Sequence, residues 1–184
     1  MTDLRLVSLD APSDTEAKRQ EMNTNQVLLG IGANLDGPKR QVSKAIERIN
    51  QHADITLKAR SSLYRSQPQG PQDQNDFVNA VVWIETALEP SSLLQATQAI
   101  EADFGRIKSR HWGERIIDLD ILFFNNESIS LEKPALCIPH PYAVQRDFVL
   151  IPAIEIAPDW TLPDETPLTH FLSSCATHHL QRID

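Results

Sequence analysis

Residues 115–124, RIIDLDILFF, are the stretch on which the fold prediction depends, an apolar run broken by two carboxylates. Its length and its content of Ile, Leu and Phe predict a buried β-strand. Because side chains alternate along a strand, Asp118 and Asp120 share one face, roughly 6.6 Å apart. Two neighbouring like charges in a buried strand are costly unless a cation neutralises them. The pair therefore indicates a site for a hard divalent cation such as Mg²⁺, the alternative being two exposed acids on an edge strand.

The segment that precedes this strand is basic. Residues 106–115, RIKSRHWGER, hold four of the chain's 17 Lys and Arg residues and one carboxylate. An exposed Trp, such as Trp112, is unusual in a loop unless the loop closes over something. A solvated charged turn is the alternative explanation. Cations beside an acid pair favour a metal-bound polyphosphate, which Arg106 and Arg115 can clamp.

Length and composition limit the class of protein. The chain has 184 residues, 41% hydrophobic and 23% charged, as expected for one globular domain. Its net charge of −8 disfavours nucleic-acid binding, and no apolar run approaches a membrane span. Cys137 and Cys175 fit neither a disulfide framework nor a zinc site, which favours reduced thiols and a cytoplasmic location, the alternative being a single bridge between them. We expect residues 1–25 to form a flexible extension, residues 26–184 a single domain, and the protein to be a monomer.

The hydrophobic pattern alternates between strand and helix periods. It predicts strands at residues 26–33, 55–64 and 77–88, helices at 38–52 and 90–104, and then the acidic strand. Glycine and proline punctuate the helix ends. The order β-α-β-β-α-β predicts an α+β fold of the ferredoxin-like type, with additional C-terminal strands and a helix at residues 146–157 interrupted by Pro152.

Aromatic and amide side chains indicate where a flat ring can bind. Phe77 and Asn79 point to one face of a predicted strand, and Phe148 follows farther along the chain. Aromatic faces and an amide can enclose a heterocycle, although core packing explains both Phe residues equally well. His140 and Arg146 are candidates for reaching a phosphate, the alternative for His140 being a structural role between two prolines.

Residues 111–122, HWGERIIDLDIL, resemble the signature of the 6-hydroxymethyl-7,8-dihydropterin pyrophosphokinase family. Further ordered matches are residues 32–35 (GANL), 64–65 (YR), 70–74 (GPQDQ), 77–80 (FVNA), 139–141 (PHP), Arg146 and Phe148. The resemblance covers about residues 26–163. It implies a ferredoxin-like pyrophosphokinase domain that transfers pyrophosphate from ATP to the hydroxymethyl oxygen of the pterin, releasing AMP, in folate biosynthesis.

The resemblance also implies roles for individual residues. Asp118 and Asp120 would hold two Mg²⁺ ions, and Arg106 and Arg115 would be catalytic by binding the transferring phosphates. The implied ATP contacts are Gln98, Glu101, Lys108, Arg110, Trp112, Ile121, His140 and Arg146. The implied pterin contacts are Ser66, Gln67, Gln69, Phe77, Asn79 and Phe148.

The chain departs from the family pattern at a few positions, but none of them removes an acid of the pair or Arg115. Two departures are segments: the polar loop at residues 66–69 (SQPQ) and a shortened basic loop that contains Lys108. The others are single residues: Ala33, Ala135 and Cys137. Two rival functions stay open. One is a binding module that holds a nucleotide without turnover, and the other is a Mg²⁺-dependent phosphodiesterase or nucleotidyltransferase. We expect an active pyrophosphokinase.

Overall fold

The computed structural model describes residues 24–106 and 112–184. Nearly all of the predicted N-terminal extension lies outside these residues, and so do Lys108 and Arg110. The strands are β1 (Asn25–Ala33), β2 (Ile55–Arg60), β3 (Tyr64–Ser66), β4 (Phe77–Thr86), β5 (Asp118–Phe124), β6 (Ile129–Leu131), β7 (Leu136–Ile138) and β8 (Gln181–Arg182). The helices are α1 (Pro38–Asn50), α2 (Pro90–Asp103) and α3 (Asp147–Ile156), with 3-10 turns at Ala143–Gln145 and Leu168–Phe171.

Six of the strands form one antiparallel sheet in the order β5-β1-β4-β3-β8, with β2 paired to the C-terminal half of β4. Strands β6 and β7 form a separate two-stranded sheet. The α+β class is therefore confirmed, as are the C-terminal strands and helix. Within the described ranges, no helix is long and apolar enough to cross a membrane.

The strand predicted at residues 55–64 is two strands, β2 and β3, which pair with different halves of β4. Between them, Ser62 leaves the ladder because its N–H and Oγ donate to the carboxylate of Glu155, at 3.1 and 2.5 Å. The hydroxyl of Tyr64 donates to the same carboxylate at 2.9 Å. The break thus comes from a partner about ninety residues away on α3, which local alternation of side chains cannot predict.

The sheet is covered on both faces, because inward and outward side chains alternate along its strands. One core joins β1, β4 and β5 to α1 and α2, and includes Leu29, Ile46 and Ile100. The other core joins the opposite face to α3, and includes Leu122 and Leu150. Both cores are built from nearly inaccessible side chains, so the middle of the sheet is held rigidly.

Helix α3 differs from the sequence prediction because it continues through Pro152. Proline removes one backbone N–H, so the carbonyl of Phe148, four residues earlier, receives no helical hydrogen bond from position 152. Packing of Val149, Leu150 and Ala153 into the second core holds the helix together across this gap. The first turn of α3 is thereby placed against the face of the sheet that carries Asp118 and Asp120.

Candidate active site

A cavity of about 290 Å³ opens on the α3 face of the sheet, where β1, β4 and β5 meet the loops before β5 and α3. It brings together residues that are far apart in the sequence. The predicted site residues that line it are Ser66, Gln67, Gln69, Phe77, Asn79, Arg106, Trp112, Arg115, Asp118, Asp120, His140, Arg146 and Phe148. Acidic, basic and aromatic groups thus share one opening.

Three predicted ATP contacts do not line this cavity. Ile121 is 3% exposed in the core beneath the helices, because it alternates with Asp120 along β5. Gln98 lies exposed on α2. Glu101 lies behind the cavity, where it contacts Arg106. These three contacts stay predictions, and Lys108 and Arg110 fall outside the described residues.

The acid pair lies opposite glycines of the neighbouring strand. In the β1–β5 register, Gly32 pairs with Asp118 and Gly30 with Asp120. No β1 side chain therefore covers the two carboxylates. A Cβ atom added to Gly32 would lie 3.3 Å from Oδ1 of Asn79, a tight contact inside the cavity. The glycines leave room for a ligand above the acids.

Arg106 and Arg115 supply positive charge beside Asp118. Nη2 of Arg106 lies 2.7 Å from Oδ1 of Asp118, and Nε of Arg115 lies 3.4 Å from Oδ2. Arg106 also forms an ion pair with Glu101, which accepts the backbone N–H of Leu119 at 2.7 Å. Glu101 therefore ties Arg106 to the strand that carries the acids.

Burial and mutual repulsion act on the acid pair. Burial, followed by the charge of Asp120, raises the pKa of Asp118 to about 6, although Arg115 and Arg106 oppose the shift. Burial likewise raises the pKa of Asp120, with Arg146 opposing it. Burial alone would lower the pKa of Arg106, but the charges of Asp118 and Glu101 raise it. The electrostatics favour an added cation next to the two acids.

The donor set fits magnesium better than a metal held by the protein alone. Within residues 24–106 and 112–184, no group of three or more His, Cys, Asp or Glu side chains is arranged to hold a metal ion. Mg²⁺ is commonly held by one or two carboxylates, with waters and substrate phosphates completing its shell. Asp118 and Asp120 supply two carboxylates on one open face, which suits that arrangement.

His140, Tyr142 and Arg146 form the wall next to the acids. Nδ1 of His140 accepts the N–H of Tyr142 at 3.3 Å, and burial, followed by the charge of Arg146, lowers the pKa of His140 to about 4. A neutral ring whose Nδ1 accepts carries its proton on Nε2, which makes that atom a donor. The guanidinium of Arg146 lies 5.0 Å from the ring centroid of Tyr142. Among the described residues its buried Nε has no hydrogen-bond partner, which favours an anionic ligand.

Another part of the cavity is aromatic and amide in character. Phe77 and Phe148 line it, from β4 and the first turn of α3. Asn79 is 5% exposed, and its Nδ2 donates to Oγ of Ser66 at 2.9 Å. One bond to Ser66 leaves the amide further hydrogen-bonding capacity at the cavity. The arrangement suits a flat, polar-edged ring.

Asn34 connects the loops on both sides of the cavity. It is 1% exposed, and its Oδ1 accepts the N–H of Arg115 at 2.8 Å. Its Nδ2 donates to Oε1 of Gln74 and to the carbonyl of Asn75, both at 3.1 Å. Gln74 in turn donates to the carbonyl of Trp112 at 2.8 Å. The loop before β5 is therefore anchored to the loop before β4.

Sequence reasoning missed two groups of residues around this cavity. Tyr142 lines it beside Arg146, and an aromatic residue directly after the His140-Pro141 pair was the available signal. The buried pair of Asp147 and His178 contacts Phe148. No local pattern joins these two residues, which lie 31 positions apart.

Comparisons with known proteins agree with the geometry. Residues 28–158 match the family model described as 7,8-dihydro-6-hydroxymethylpterin-pyrophosphokinase (HPPK). A Haemophilus influenzae protein named 2-amino-4-hydroxy-6-hydroxymethyldihydropteridine pyrophosphokinase is 43% identical over 156 residues, covering 85% of this chain and 96% of that protein. A Bacillus subtilis protein of the same name is 41% identical over 132 residues, covering 72% of this chain and 78% of that protein.

A likeness to solved structures supports the fold alone. The chain is similar to the Plasmodium falciparum HPPK-DHPS wild type crystallised with SDX-DHP, with a TM-score of 0.63 and 17% identity. The match covers 82% of this chain, which spans only 44% of that chain. A second structure, HPPK-DHPS A437G with pteroate, gives a TM-score of 0.64 at 17% identity.

Proposed function

The chain belongs to the 7,8-dihydro-6-hydroxymethylpterin-pyrophosphokinase family, and from that premise we propose that it transfers pyrophosphate from ATP to 6-hydroxymethyl-7,8-dihydropterin in folate biosynthesis. The observation that carries the proposal is a single cavity that holds both the acid–arginine cluster and the aromatic–amide wall. A polyphosphate fits the first part and a flat heterocycle the second. The ferredoxin-like arrangement of the fold is part of the same proposal.

The phosphate side of the site uses charge to stabilise the reaction. Asp118 and Asp120 would hold two Mg²⁺ ions, which neutralise phosphate oxygens when bound. Arg106, Arg115 and Arg146 bind phosphate oxygens and offset the charge that builds on the leaving AMP. The Nε2–H of neutral His140 donates a hydrogen bond on the same side, without adding a charge of its own.

The acceptor side positions the attacking alcohol. Phe77 and Phe148 stack on the pterin ring, and Asn79, held by Ser66, hydrogen-bonds its edge. The hydroxymethyl oxygen then attacks the β-phosphorus in line. A new oxygen–phosphorus bond forms as the bond from the β-phosphorus to the bridging oxygen breaks, AMP leaves with that oxygen, and the proton of the hydroxyl group is released to water. Trp112, with Gln67 and Gln69 at the rim, helps to exclude water, so that hydrolysis does not compete.

The remaining predictions concern the whole molecule. We expect residues 26–184 to act as one pyrophosphokinase domain in a cytoplasmic monomer, with ATP contacts at Gln98, Glu101 and Ile121 as the resemblance implies. Light scattering of the purified protein gives its mass in solution. Calorimetric titration of magnesium in the presence of a non-hydrolysable ATP analogue gives the number of ions bound.

An assay of AMP formation from ATP, with and without hydroxymethyl-dihydropterin, tests the proposed function. AMP release that depends on the pterin supports the pyrophosphokinase. ATP binding without turnover supports instead a nucleotide-binding module. Release of ADP or orthophosphate contradicts both. AMP release that is independent of the pterin points to hydrolysis, and pyrophosphate release without free AMP points to nucleotidyl transfer. Omission of magnesium is the control, because the proposed chemistry stops without it.

A further inference from the structure

A buried polar pair joins α3 to the C-terminal segment, residues 176–182, and has no role in the proposed reaction. Asp147, in the first turn of α3, is 5% exposed and His178 is 9% exposed. Nδ1 of His178 lies 2.7 Å from Oδ1 of Asp147, and the N–H of His178 donates to Oδ2 at 2.7 Å. Because a carboxylate only accepts hydrogen bonds, the ring proton lies on Nδ1. His178 is also outside residues 28–158, the part matched by the family model.

The pair acts on Phe148, one wall of the proposed pterin site. The N–H of Phe148 donates to Oδ1 of Asp147 at 2.8 Å. The ring of Phe148 meets the imidazole of His178 nearly at right angles, with centroids 4.8 Å apart and planes at 77°. The guanidinium of Arg146 lies 5.7 Å from the same phenyl centroid. The orientation of the Phe148 ring therefore depends on an imidazole that Asp147 holds in place.

The backbone of His178 also contacts Gln67, a second residue that lines the cavity. The carbonyl of His178 accepts the N–H of Gln67 at 2.9 Å. Ala176 bridges to Arg146, and β8 pairs with β3, so the segment is anchored before and after His178. Gln67 and Phe148 both line the cavity. One residue thus contacts two of the residues that line the space in which the acceptor ring would lie.

We propose that His178 is a positioning residue for the pterin, because it orients the Phe148 ring and fixes the backbone of Gln67. The inference rests on the proposed function, which assigns a flat acceptor to this part of the cavity. A residue that only stabilised the fold would change the fraction of active enzyme. A positioning residue instead raises the KM for the pterin more than the KM for ATP, since Arg106, Arg115 and the acids do not contact it and the Arg146 guanidinium lies near it only through the Phe148 ring.

Three substitutions separate the contacts of the imidazole. His178→Ala removes the bond to Asp147 and the ring contact with Phe148. His178→Asn retains an N–H donor without the ring, and His178→Phe retains a ring without the donor. The matched control is His170→Ala, because exposed His170 packs nearly at right angles on Phe171, at 5.2 Å and 84°, away from the cavity.

In His178→Ala we expect the KM for the pterin to rise about fivefold to tenfold, the range expected for losing an aromatic contact at a binding site. The KM for ATP and kcat per folded enzyme stay within about twofold, and His170→Ala leaves all three constants within the same limit. His178→Asn and His178→Phe are expected to raise the KM for the pterin less than His178→Ala does. These two variants provide the test where His178→Ala does not fold. A pterin KM within about twofold of wild type overturns the proposal, whether or not the melting temperature falls.

Fluorine NMR of protein labelled with para-fluorophenylalanine gives a readout that does not depend on activity. The resonance of Phe148, assigned with Phe148→Leu, is expected to move in His178→Ala and to stay in place in His170→Ala. An unchanged resonance contradicts positioning. Where wild-type enzyme forms no AMP with the pterin but the resonance moves, the proposed function fails and the structural coupling stands. Where the wild-type enzyme is active and His178→Ala leaves the KM for the pterin unchanged, the proposed function stands and the positioning role of His178 fails.

Discussion

Nη2 of Arg106 lies 2.7 Å from Oδ1 of Asp118. The arginine proposed to bind phosphate therefore forms an ion pair with a carboxylate proposed to bind magnesium. Arg106 also contacts Glu101, which holds the backbone of β5. The guanidinium thereby offsets part of the charge of the acid pair in the free protein. Under the proposed function, Arg106 would bind phosphate oxygens from a position that its ion pairs with Glu101 and Asp118 fix beside the acid pair.

Asp118→Asn is expected to lower pterin-dependent AMP formation by more than about 100-fold, because it removes a magnesium ligand. The same change removes one of two desolvated, mutually repelling carboxylates. The melting temperature, measured with a chelator present, is therefore expected to stay the same or rise. Asp103→Asn, in an exposed pair with Arg48, is the control and keeps full activity. Wild-type-like AMP release by Asp118→Asn contradicts the metal assignment.

Asn34→Ala is expected to lower the free energy of unfolding by about 2 kcal/mol, because it leaves the N–H of Arg115 without its side-chain partner. The catalytic efficiency also falls, since the loops before β4 and β5 lose their common anchor. Urea denaturation and steady-state kinetics measure the two effects. The control, Asn126→Ala, removes an exposed bond to Thr161 and changes stability by less than about 0.5 kcal/mol. Equal effects in the two variants would contradict the anchoring role.

Tyr142→Ala is expected to raise the KM for ATP about fivefold, because the ring that lies against the Arg146 guanidinium is lost. Tyr142→Phe keeps the aromatic face and is expected to stay within about twofold of wild type. Steady-state kinetics at saturating pterin measure both variants. In an Arg146→Ala background the Tyr142 effect should vanish. Persistence of the effect there would mean that Tyr142 acts without Arg146.

His140 is expected to make folding stability depend on pH between about 6.5 and about 4. Burial lowers its pKa to about 4 in the folded protein, from an ordinary value of 6.5. The unfolded chain therefore binds the proton first as the pH falls, so the stabilisation is complete above pH 6.5 and is lost toward pH 4. The contribution is about 1–2 kcal/mol after allowance for solvent screening. Unfolding free energies of wild type and His140→Gln across this window measure it, and parallel curves would contradict it.

The sequence predicted the elements that have strong local signals. The helix that begins at Pro38 after Gly37 and the acidic strand agree closely with the structure, because their periodicity and end signals are local. The single strand predicted at residues 55–64 is two strands in the structure, because Glu155 binds Ser62 and β2 ends before it. Pro152 also failed to interrupt α3, because core packing outweighs one missing backbone hydrogen bond.

The sequence by itself predicted the residues of the phosphate side. The acids of β5 share a face because a strand alternates, and Arg115 and Arg106 precede Asp118 by three and twelve residues. The sequence also predicted the residues of the acceptor side, but only the tertiary structure decided which residues support them. Phe148 meets His178, and His178 meets Gln67, through contacts 30 and 111 residues apart along the chain. Such contacts depend on the packing of α3 and the C-terminal segment against the sheet, a property of the whole chain that no local pattern encodes.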